Sequence, residues 1–190
     1  MKKEYHHHNL KEELLIKGLA LLSDVGESQF SLRKLAAFCG VSHAAPYAHY
    51  SSKEDFLLNL RAFIIDQFLA DLKATRKNVL NQETVLIEMG IAYIDFFITN
   101  DNYYDFLFQT SSNQQYVYSL QDFEPFQYFS KTAAHVLQYQ GIQKSYVELN
   151  ILAMWSLVHG LCYSYLHTDN KTENWKDNAR LILNGFTFID

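Results

Sequence analysis

Four consecutive polar residues, Ser51, Ser52, Lys53 and Glu54, mark a place where this chain can bind an anion. Ser51 and Glu54 have the spacing of a capping box, which predicts that a helix starts here with Lys53 in its first turn. The first amide hydrogens of a helix have no partner within it, and the helix dipole adds partial positive charge at that end. The start of this helix can therefore receive a phosphate group without much side-chain charge.

Two shorter helices are predicted just before this point. Ser31 can cap the first helix and Gly40 can end it, while its apolar residues recur at three- and four-residue spacing. These apolar residues are Leu32, Leu35, Ala36 and Cys39. Ser42 can cap a second helix from His43 to about His49, so the two helices are separated by the short turn that is typical of a helix-turn-helix.

Pro46 lies inside the second predicted helix. Proline lacks a backbone donor and disfavours helical geometry at the residue before it, here Ala45. We therefore expect the second helix to be distorted or to begin late.

Residues 31–56 closely resemble the DNA-binding motif of the TetR family of bacterial transcription regulators. The shared pattern is Leu-Arg-x-Leu-Ala, then Gly-Val-Ser, then Tyr-x-His-aromatic and Ser-Lys-Glu. The resemblance implies that Tyr47, His49 and Lys53 hold phosphates. It also implies that the residues at the start of the second helix approach base edges, namely Ser42, His43, Ala44 and Ala45. We add Arg33, from the Leu-Arg pair, to the predicted DNA-binding residues.

Two further segments carry the resemblance. The first, Tyr-His-His-x-Asn-Leu near the N-terminus, is similar to the family as a whole, and the second, Trp155-x-x-x-His159-Gly160 in a late helix, is similar to one branch of it. The three consecutive histidines, His6 to His8, predict a flexible arm rather than a metal site, because neighbouring residues on a tail do not preorganise metal ligands. We expect no metal and no cofactor.

The composition of the 190 residues predicts an all-α protein, and the helical segments recognised along the chain number about nine. Two prolines and seven glycines are few for the turns of an all-β protein, and nearly half of the chain is apolar. We expect an N-terminal helix-turn-helix domain over residues 1–52 and a helical bundle over residues 53–190. Cys39 and Cys162 lie in apolar helical contexts, which favours free thiols in a reducing compartment.

The net charge of −5 lies entirely in the second part of the chain, since acidic and basic residues balance over residues 1–60. A neutral N-terminal domain predicts modest non-specific affinity for DNA. The most apolar stretch, Ile151 to Leu166, contains polar residues and is shorter than a membrane span. No signal peptide is recognisable, so we expect a cytoplasmic protein that is not inserted in a membrane.

Aromatic residues crowd the middle of the chain, and they support two interpretations. They can be ordinary core, or they can line a pocket for an apolar or aromatic effector. Trp155 and His159 lie on one helical face and can either join that pocket or pack with a satisfied imidazole. The predicted pocket residues are Phe96, Phe97, Tyr103, Tyr104, Phe108, Phe126, Trp155 and His159.

The last two helices are predicted from Ser145 to Leu166 and from Thr172 to the C-terminus. Their apolar residues are not confined to one narrow stripe, which suits packing against a second helix pair, and the resemblance implies a homodimer formed there. Ser156 and Gly160 would let helices approach closely. The predicted interface residues are Leu149, Leu152, Ser156, Gly160, Ile182 and Phe186.

These patterns predict a homodimeric, sequence-specific DNA-binding regulator. Its partners would be a palindromic double-stranded operator and a small effector that releases a repressor. The alternative is an all-α ligand-binding or interaction module that does not bind DNA. An enzyme is disfavoured, because the sequence contains no phosphate loop, metal-ligand spacing or nucleophile elbow.

Overall fold

The computed structural model describes residues 10–109, 120–168 and 173–189. Over these ranges the chain is all-α and contains no strand, which confirms the predicted fold class. About nine helices were expected, and the described ranges contain eight. They are α1 Leu10–Val25, α2 Leu32–Cys39, α3 Lys53–Asn78, α4 Val85–Thr99, α5 Asp101–Phe108, α6 Glu124–Tyr139, α7 Lys144–His167 and α8 Trp175–Asn184. The N-terminal arm, with Asn9, lies outside the described residues.

The chain forms two compact units, and the division does not fall at residue 52. One unit comprises residues 1–64 and 102–116, and the other comprises residues 65–101 and 117–190. Helix α3 begins in the first unit and ends in the second. The first unit therefore contains more of the chain than the predicted helix-turn-helix domain. The functional boundary between residues 52 and 53 stays a prediction.

The core of the first unit is built on α1, α2 and the start of α3. Phe56 is fully buried, stacks on Phe30 with ring centroids 5.1 Å apart, and meets the edge of Tyr50 at 5.0 Å. Gly18 on α1 lets the Phe56 ring approach, because a Cβ at that position would lie 2.3 Å from Cζ of Phe56. Ser31 caps α2 by accepting from the amide of Lys34, and Gly40 ends it with φ 69°, as predicted.

The second unit is centred on α4, which is buried on most sides. Helix α4 packs against α7 and α8, and α6 packs against α7. Gly90 on α4 permits this close approach, because a Cβ there would lie 3.0 Å from Leu183 and 3.1 Å from Val158. Arg180 adds a bidentate ion pair between α8 and Glu88 on α4, with Nη2 2.8 Å from both carboxylate oxygens. Apolar packing and an ion pair thus both hold α8 on α4.

Two helices have boundaries set by local features. Helix α6 begins only at Glu124, after a 3₁₀ turn at Leu120–Asp122, because Pro125 suits the first turn of a helix and not its interior. The helix expected from Thr172 to the C-terminus spans only Trp175–Asn184. Beyond Gly185 the chain leaves helical geometry, and its end is bound by a side chain of α7.

That side chain belongs to Asn150, which is fully buried. Its Nδ2 donates to the carbonyl oxygens of Tyr146 and Ile189 at 3.0 and 2.9 Å, and its Oδ1 accepts from the amide of Ile189 at 2.9 Å. The amide side chain thus satisfies both backbone groups of Ile189. This contact holds the C-terminal segment 185–189 on α7.

Helix α7 is the one helix of the described ranges whose length and composition would allow it to cross a membrane. It packs against α4 and α6 and buries Asn150 in a hydrogen-bonded site, which is the environment of a core helix in a folded bundle. Both cysteines are buried free thiols, as predicted, and burial raises the pKa of each.

Candidate nucleic-acid interface and ligand cavity

The segment after α2 does not form the regular helix that the spacing predicts over His43 to His49. It forms a turn, in which the Ala45 amide donates to the carbonyl of Ser42, followed by a 3₁₀ turn over Pro46–Ala48. Ala45 has φ −60° and ψ −45°, so the expectation that Pro46 removes it from helical geometry is wrong. Pro46 stands in the first turn, where a backbone amide would have no hydrogen-bond acceptor within the helix. The expected distortion is the 3₁₀ geometry, which is wound more tightly than an α-helix.

Two buried residues, Pro46 and Tyr50, anchor the segment 42–49 to the core. Tyr50 is fully buried, and its hydroxyl donates to the carbonyl of Lys11 on α1 at 2.8 Å. Burial, with a smaller contribution from the Asp55 carboxylate, raises the pKa of Tyr50 to about 12. The phenol therefore stays protonated and keeps this hydrogen bond. Because both anchors face the core, the residues between and before them face outward.

Most of the predicted DNA-binding residues are exposed in consequence. Ser42, His43 and Ala44 are exposed, and Ala45 is half-buried. Tyr47 exposes 56 % of its surface, and His49 is exposed as well. Arg33 is exposed on α2. The segment 42–49 thus gathers polar and small side chains in one solvent-facing turn, which is the arrangement that contact with a nucleic acid requires.

The cap at the start of α3 is displaced by one residue from the prediction. Ser52, and not Ser51, accepts from the amide of the third helical residue, Asp55, at 3.1 Å. The carboxylate of Asp55, and not that of Glu54, reaches back to the amide and hydroxyl of Ser51 at 2.7 and 2.9 Å. These hydrogen bonds hold the pKa of Asp55 below its ordinary value.

Lys53 is half-buried, and its Nζ donates to the carbonyl of Glu27 at 2.5 Å. The first turn of α3 also carries two carboxylates, Glu54 and Asp55, which offset the positive end of the helix dipole. The predicted phosphate site at this helix start is therefore less positive than the sequence suggested. The role of Lys53 as a phosphate ligand stays a prediction.

The eight predicted pocket residues are distributed over both units. Tyr103, Tyr104 and Phe108 belong to the first unit and the other five to the second. In the second unit, Phe96 and Phe97 are buried against Phe68, with ring centroids 5.1 and 5.0 Å from it. Trp155 is buried and meets Phe126 at 5.2 Å and Tyr93 at 5.2 Å. These rings pack as core, and their contact with a ligand stays a prediction.

The imidazole of His159 is hydrogen-bonded to a residue of this core. Its Nδ1 lies 2.7 Å from the hydroxyl of Tyr93, and Tyr93 exposes 2 % of its surface. Burial lowers the pKa of His159 below its ordinary value. The ring is therefore neutral at pH 7.

This pKa shift predicts that acid destabilises the second unit through His159. The pKa of the folded state lies below the unfolded value of about 6.5, so the unfolded chain binds the proton more readily. The stabilisation is complete above about pH 6.5 and is lost as the pH falls through the folded pKa. We expect His159→Asn to flatten the decline in the free energy of unfolding between about pH 7 and pH 5, measured by urea denaturation. An equal decline in the variant would contradict this assignment.

A separate cavity of about 220 Å³ lies in the second unit, between α4, α6, α7, the end of α8 and the C-terminal segment. None of the eight predicted pocket residues lines it. Its apolar wall comprises Leu86, Ile87, Phe129, Met154, Leu157, Val158, Leu183, Phe186 and Phe188. Its polar residues are Glu83, Gln140 and Asn184, and all three are exposed. The sequence carried no signal for this cavity, because four separate segments form it.

The predicted interface residues on α7 lie on its exposed side. Leu149 and Leu152 expose 52 and 48 % of their surfaces, and Ser156 and Gly160 are exposed one and two turns further on. Tyr163 continues this stripe at 48 % exposure. It was not among the predicted residues, although its three-residue spacing from Gly160 was a signal for it.

On α8, Ile182 is 43 % exposed, and Leu181, which was not predicted, is 72 % exposed. Phe186 is half-buried and lines the cavity. Dimerisation through these residues stays a prediction.

The exposed turn, its buried anchors and the cap of α3 lie within one recognisable sequence segment. Residues 14–60 match the family model "Bacterial regulatory proteins, tetR family". This chain carries the N-terminal domain of the TetR family. The match covers most of α1, all of α2, the exposed turn and the start of α3, so it includes every predicted DNA-binding residue. No curated protein sequence matches the chain.

Solved TetR-like structures share the fold over nearly the whole chain. PfmR, a TetR family transcriptional regulator from Thermus thermophilus, superposes with a TM-score of 0.70 at 19 % identity, covering 90 % of this chain and 94 % of PfmR. The fatty acid degradation regulator FadR from Bacillus halodurans gives 0.72 at 13 % identity, covering 94 and 96 %. FadR from Bacillus subtilis, solved in complex with stearoyl-CoA, gives 0.72 at 15 % identity, covering 92 and 98 %. The TetR fold therefore extends beyond the matched N-terminal domain.

Proposed function

We propose that this protein is a homodimeric transcriptional regulator that binds a palindromic DNA operator and responds to a small molecule. The observation that carries the proposal is the solvent-facing turn 42–49, held by buried Pro46 and Tyr50 within a TetR-family N-terminal domain. The TetR fold of the whole described chain supports the same assignment.

The dimer is the second part of the proposal. Exposed apolar residues on α7 and α8 give a surface that a symmetry-related copy would cover, since a C2 interface buries the same patch on both subunits. The two copies of the turn 42–49, related by the dimer axis, would contact DNA half-sites that are about one turn of the DNA helix apart, or a multiple of it.

The effector is the third part. FadR from Bacillus subtilis was solved with stearoyl-CoA, and this chain shares its fold and has an apolar cavity in its second unit. We infer that a small molecule binds in residues 53–190 and that its different affinity for two conformations changes the affinity for DNA. We propose release of a repressor as the response, in the cytoplasm and without enzymatic activity.

One observation favours the alternative, a TetR-like module that does not bind DNA. The first turn of α3 carries Glu54 and Asp55, and Lys53 donates to a backbone carbonyl of its own chain. Selection of DNA fragments by the purified protein, followed by fluorescence anisotropy at several salt concentrations, decides between the two. A regulator enriches a palindrome and loses affinity steeply with salt. The absence of binding, or of any sequence preference, at moderate salt would support the module.

Substitutions in the turn should separate phosphate contacts from base contacts. We expect Tyr47→Phe to weaken binding to all sequences about tenfold or more, because it removes one hydrogen bond to a charged group. Lys53→Ala should also weaken binding to all sequences, and it should reduce the slope of log affinity against log salt concentration by about one. His43→Ala should instead change which bases are preferred. Anisotropy with the selected operator and with single-base variants measures all three.

Thermal unfolding provides the control for Lys53→Ala, since Lys53 also contacts Glu27. A folded Lys53→Ala protein with unchanged affinity and salt dependence would remove Lys53 from the phosphate contacts. A uniform loss of affinity in His43→Ala, without altered base preference, would place His43 among the phosphate contacts instead.

A further inference from the structure

The cavity of the second unit has two chemically different parts. Its floor is apolar and buried, since Leu86, Phe129, Met154 and Val158 each expose 9 % or less of their surfaces. The polar lining residues are exposed, so they mark its mouth. A ligand that satisfies both parts has an apolar body and a polar end that remains at the solvent.

The charges at the mouth decide the sign of that polar end. Among the described residues that line the cavity, Glu83 is the only one with a charge, and Gln140 and Asn184 are neutral. The nearest arginine along α8, Arg180, is about one turn from Leu183 and is held by both carboxylate oxygens of Glu88. The lining therefore offers a carboxylate to a cation and offers no cation to a carboxylate or phosphate.

We propose that this cavity binds a small amphiphile with an unbranched or compact apolar body and a cationic end, such as an alkylammonium. The cavity volume of about 220 Å³ has room for a short apolar chain. An eight-carbon amine is a suitable probe, because its chain can lie on the apolar floor while its ammonium stays at the mouth that Glu83 helps to line. Naming this ligand as the effector rests on the proposed function, whereas the binding itself does not.

The C-terminal segment takes part in this site. Phe186 and Phe188 form one wall, and the hydrogen bonds between Asn150 and Ile189 hold the segment in place. The wall is thus made by a short segment that is bound at its end by one side chain. A ligand that fills the cavity would contact both phenylalanines directly.

The test compares three probes of equal length, octylamine, octan-1-ol and octanoate, by calorimetry at about pH 7 on the full chain. Exposed ion pairs are weak, so we expect octylamine to bind about two- to fivefold more tightly than octanol, and octanoate to bind most weakly. Glu83→Gln should make amine and alcohol equal, and Glu83→Lys should reverse the order. Equal binding of all three probes to the wild type, or tightest binding of octanoate, would overturn the proposal.

Methyl NMR locates the probe within the chain. Of the two methionines in the described residues, Met154 lines the cavity and Met89 is buried on α4 outside the lining. We expect the Met154 methyl signal to move on titration with octylamine and the Met89 signal to stay. Movement of Met89 alone would place the ligand elsewhere and overturn the proposal.

Two matched variants and the oligomeric state complete the experiment. Leu157→Trp fills the cavity from its half-exposed rim and should abolish binding, whereas Leu80→Trp, at a residue 87 % exposed and outside the lining, should not. Binding to a monomeric variant but not to the wild type would mean that a second copy covers the cavity, and would overturn the proposal. DNA affinity is measured separately, so octylamine binding without any effect on DNA would refute the effector role alone.

Discussion

Replacing Gly160 by glutamate is expected to convert the protein to a monomer and to reduce operator affinity by more than about a hundredfold. Gly160 is exposed on α7, and a Cβ there meets nothing within 4 Å, so the substitution leaves the subunit fold unstrained. Its neighbours on the same stripe, Leu152 and Ser156, would be covered by the second subunit. A glutamate in that interface is desolvated without a partner, which costs several kcal/mol.

Sedimentation velocity with the wild type and Gly160→Glu measures this effect, together with anisotropy on the selected operator. Leu80→Glu serves as the control, because Leu80 is 87 % exposed and lies outside α7 and α8. Phe186→Glu is a less specific probe of the interface, since Phe186 also lines the cavity. A wild-type monomer of 22.2 kDa at micromolar concentration would remove both the dimer and the palindromic operator from the proposed function.

Asn150→Asp is expected to reduce the free energy of unfolding by about 2–4 kcal/mol at pH 7, because it buries a carboxylate beside two carbonyl oxygens. The wild-type amide donates to the carbonyls of Tyr146 and Ile189, and a carboxylate cannot donate to either. Amide exchange at Ile189 should also accelerate, since the Ile189 carbonyl loses its Nδ2 donor and is repelled by the carboxylate, which loosens the segment 185–189.

The pH dependence of this variant has a defined sign. Burial beside acceptors raises the pKa of the introduced carboxyl in the folded state above the unfolded value of about 3.9. The destabilisation is therefore smallest below that unfolded value and grows as the pH rises through the folded pKa. Asn174→Asp, at an exposed residue that precedes α8, is the matched control and should change stability by less than about 0.5 kcal/mol. Equal effects of the two substitutions would contradict the structural role of Asn150.

Local sequence signals predicted the helices well. Ser31 and Gly40 bound α2 as expected, because a cap and a left-handed glycine act on backbone groups a few residues away. The signals were less accurate where two neighbouring caps competed, so Ser52 and Asp55 replaced Ser51 and Glu54 at α3. They also overestimated the length and regularity of the helix around Pro46, where the chain forms a 3₁₀ turn.

For the candidate sites too, local signals could be read from the sequence and distant contacts could not. The sequence itself determined the all-α class, the family of the N-terminal domain and the exposed residues of the turn, since each follows from periodicity or from residues close together in the chain. Only the tertiary structure decided which aromatic residues are core, that Tyr93 binds His159 and that Asn150 holds Ile189, because these partners are 66 and 39 residues apart. The cavity belongs to this second group, because its space exists only between helices once they have packed.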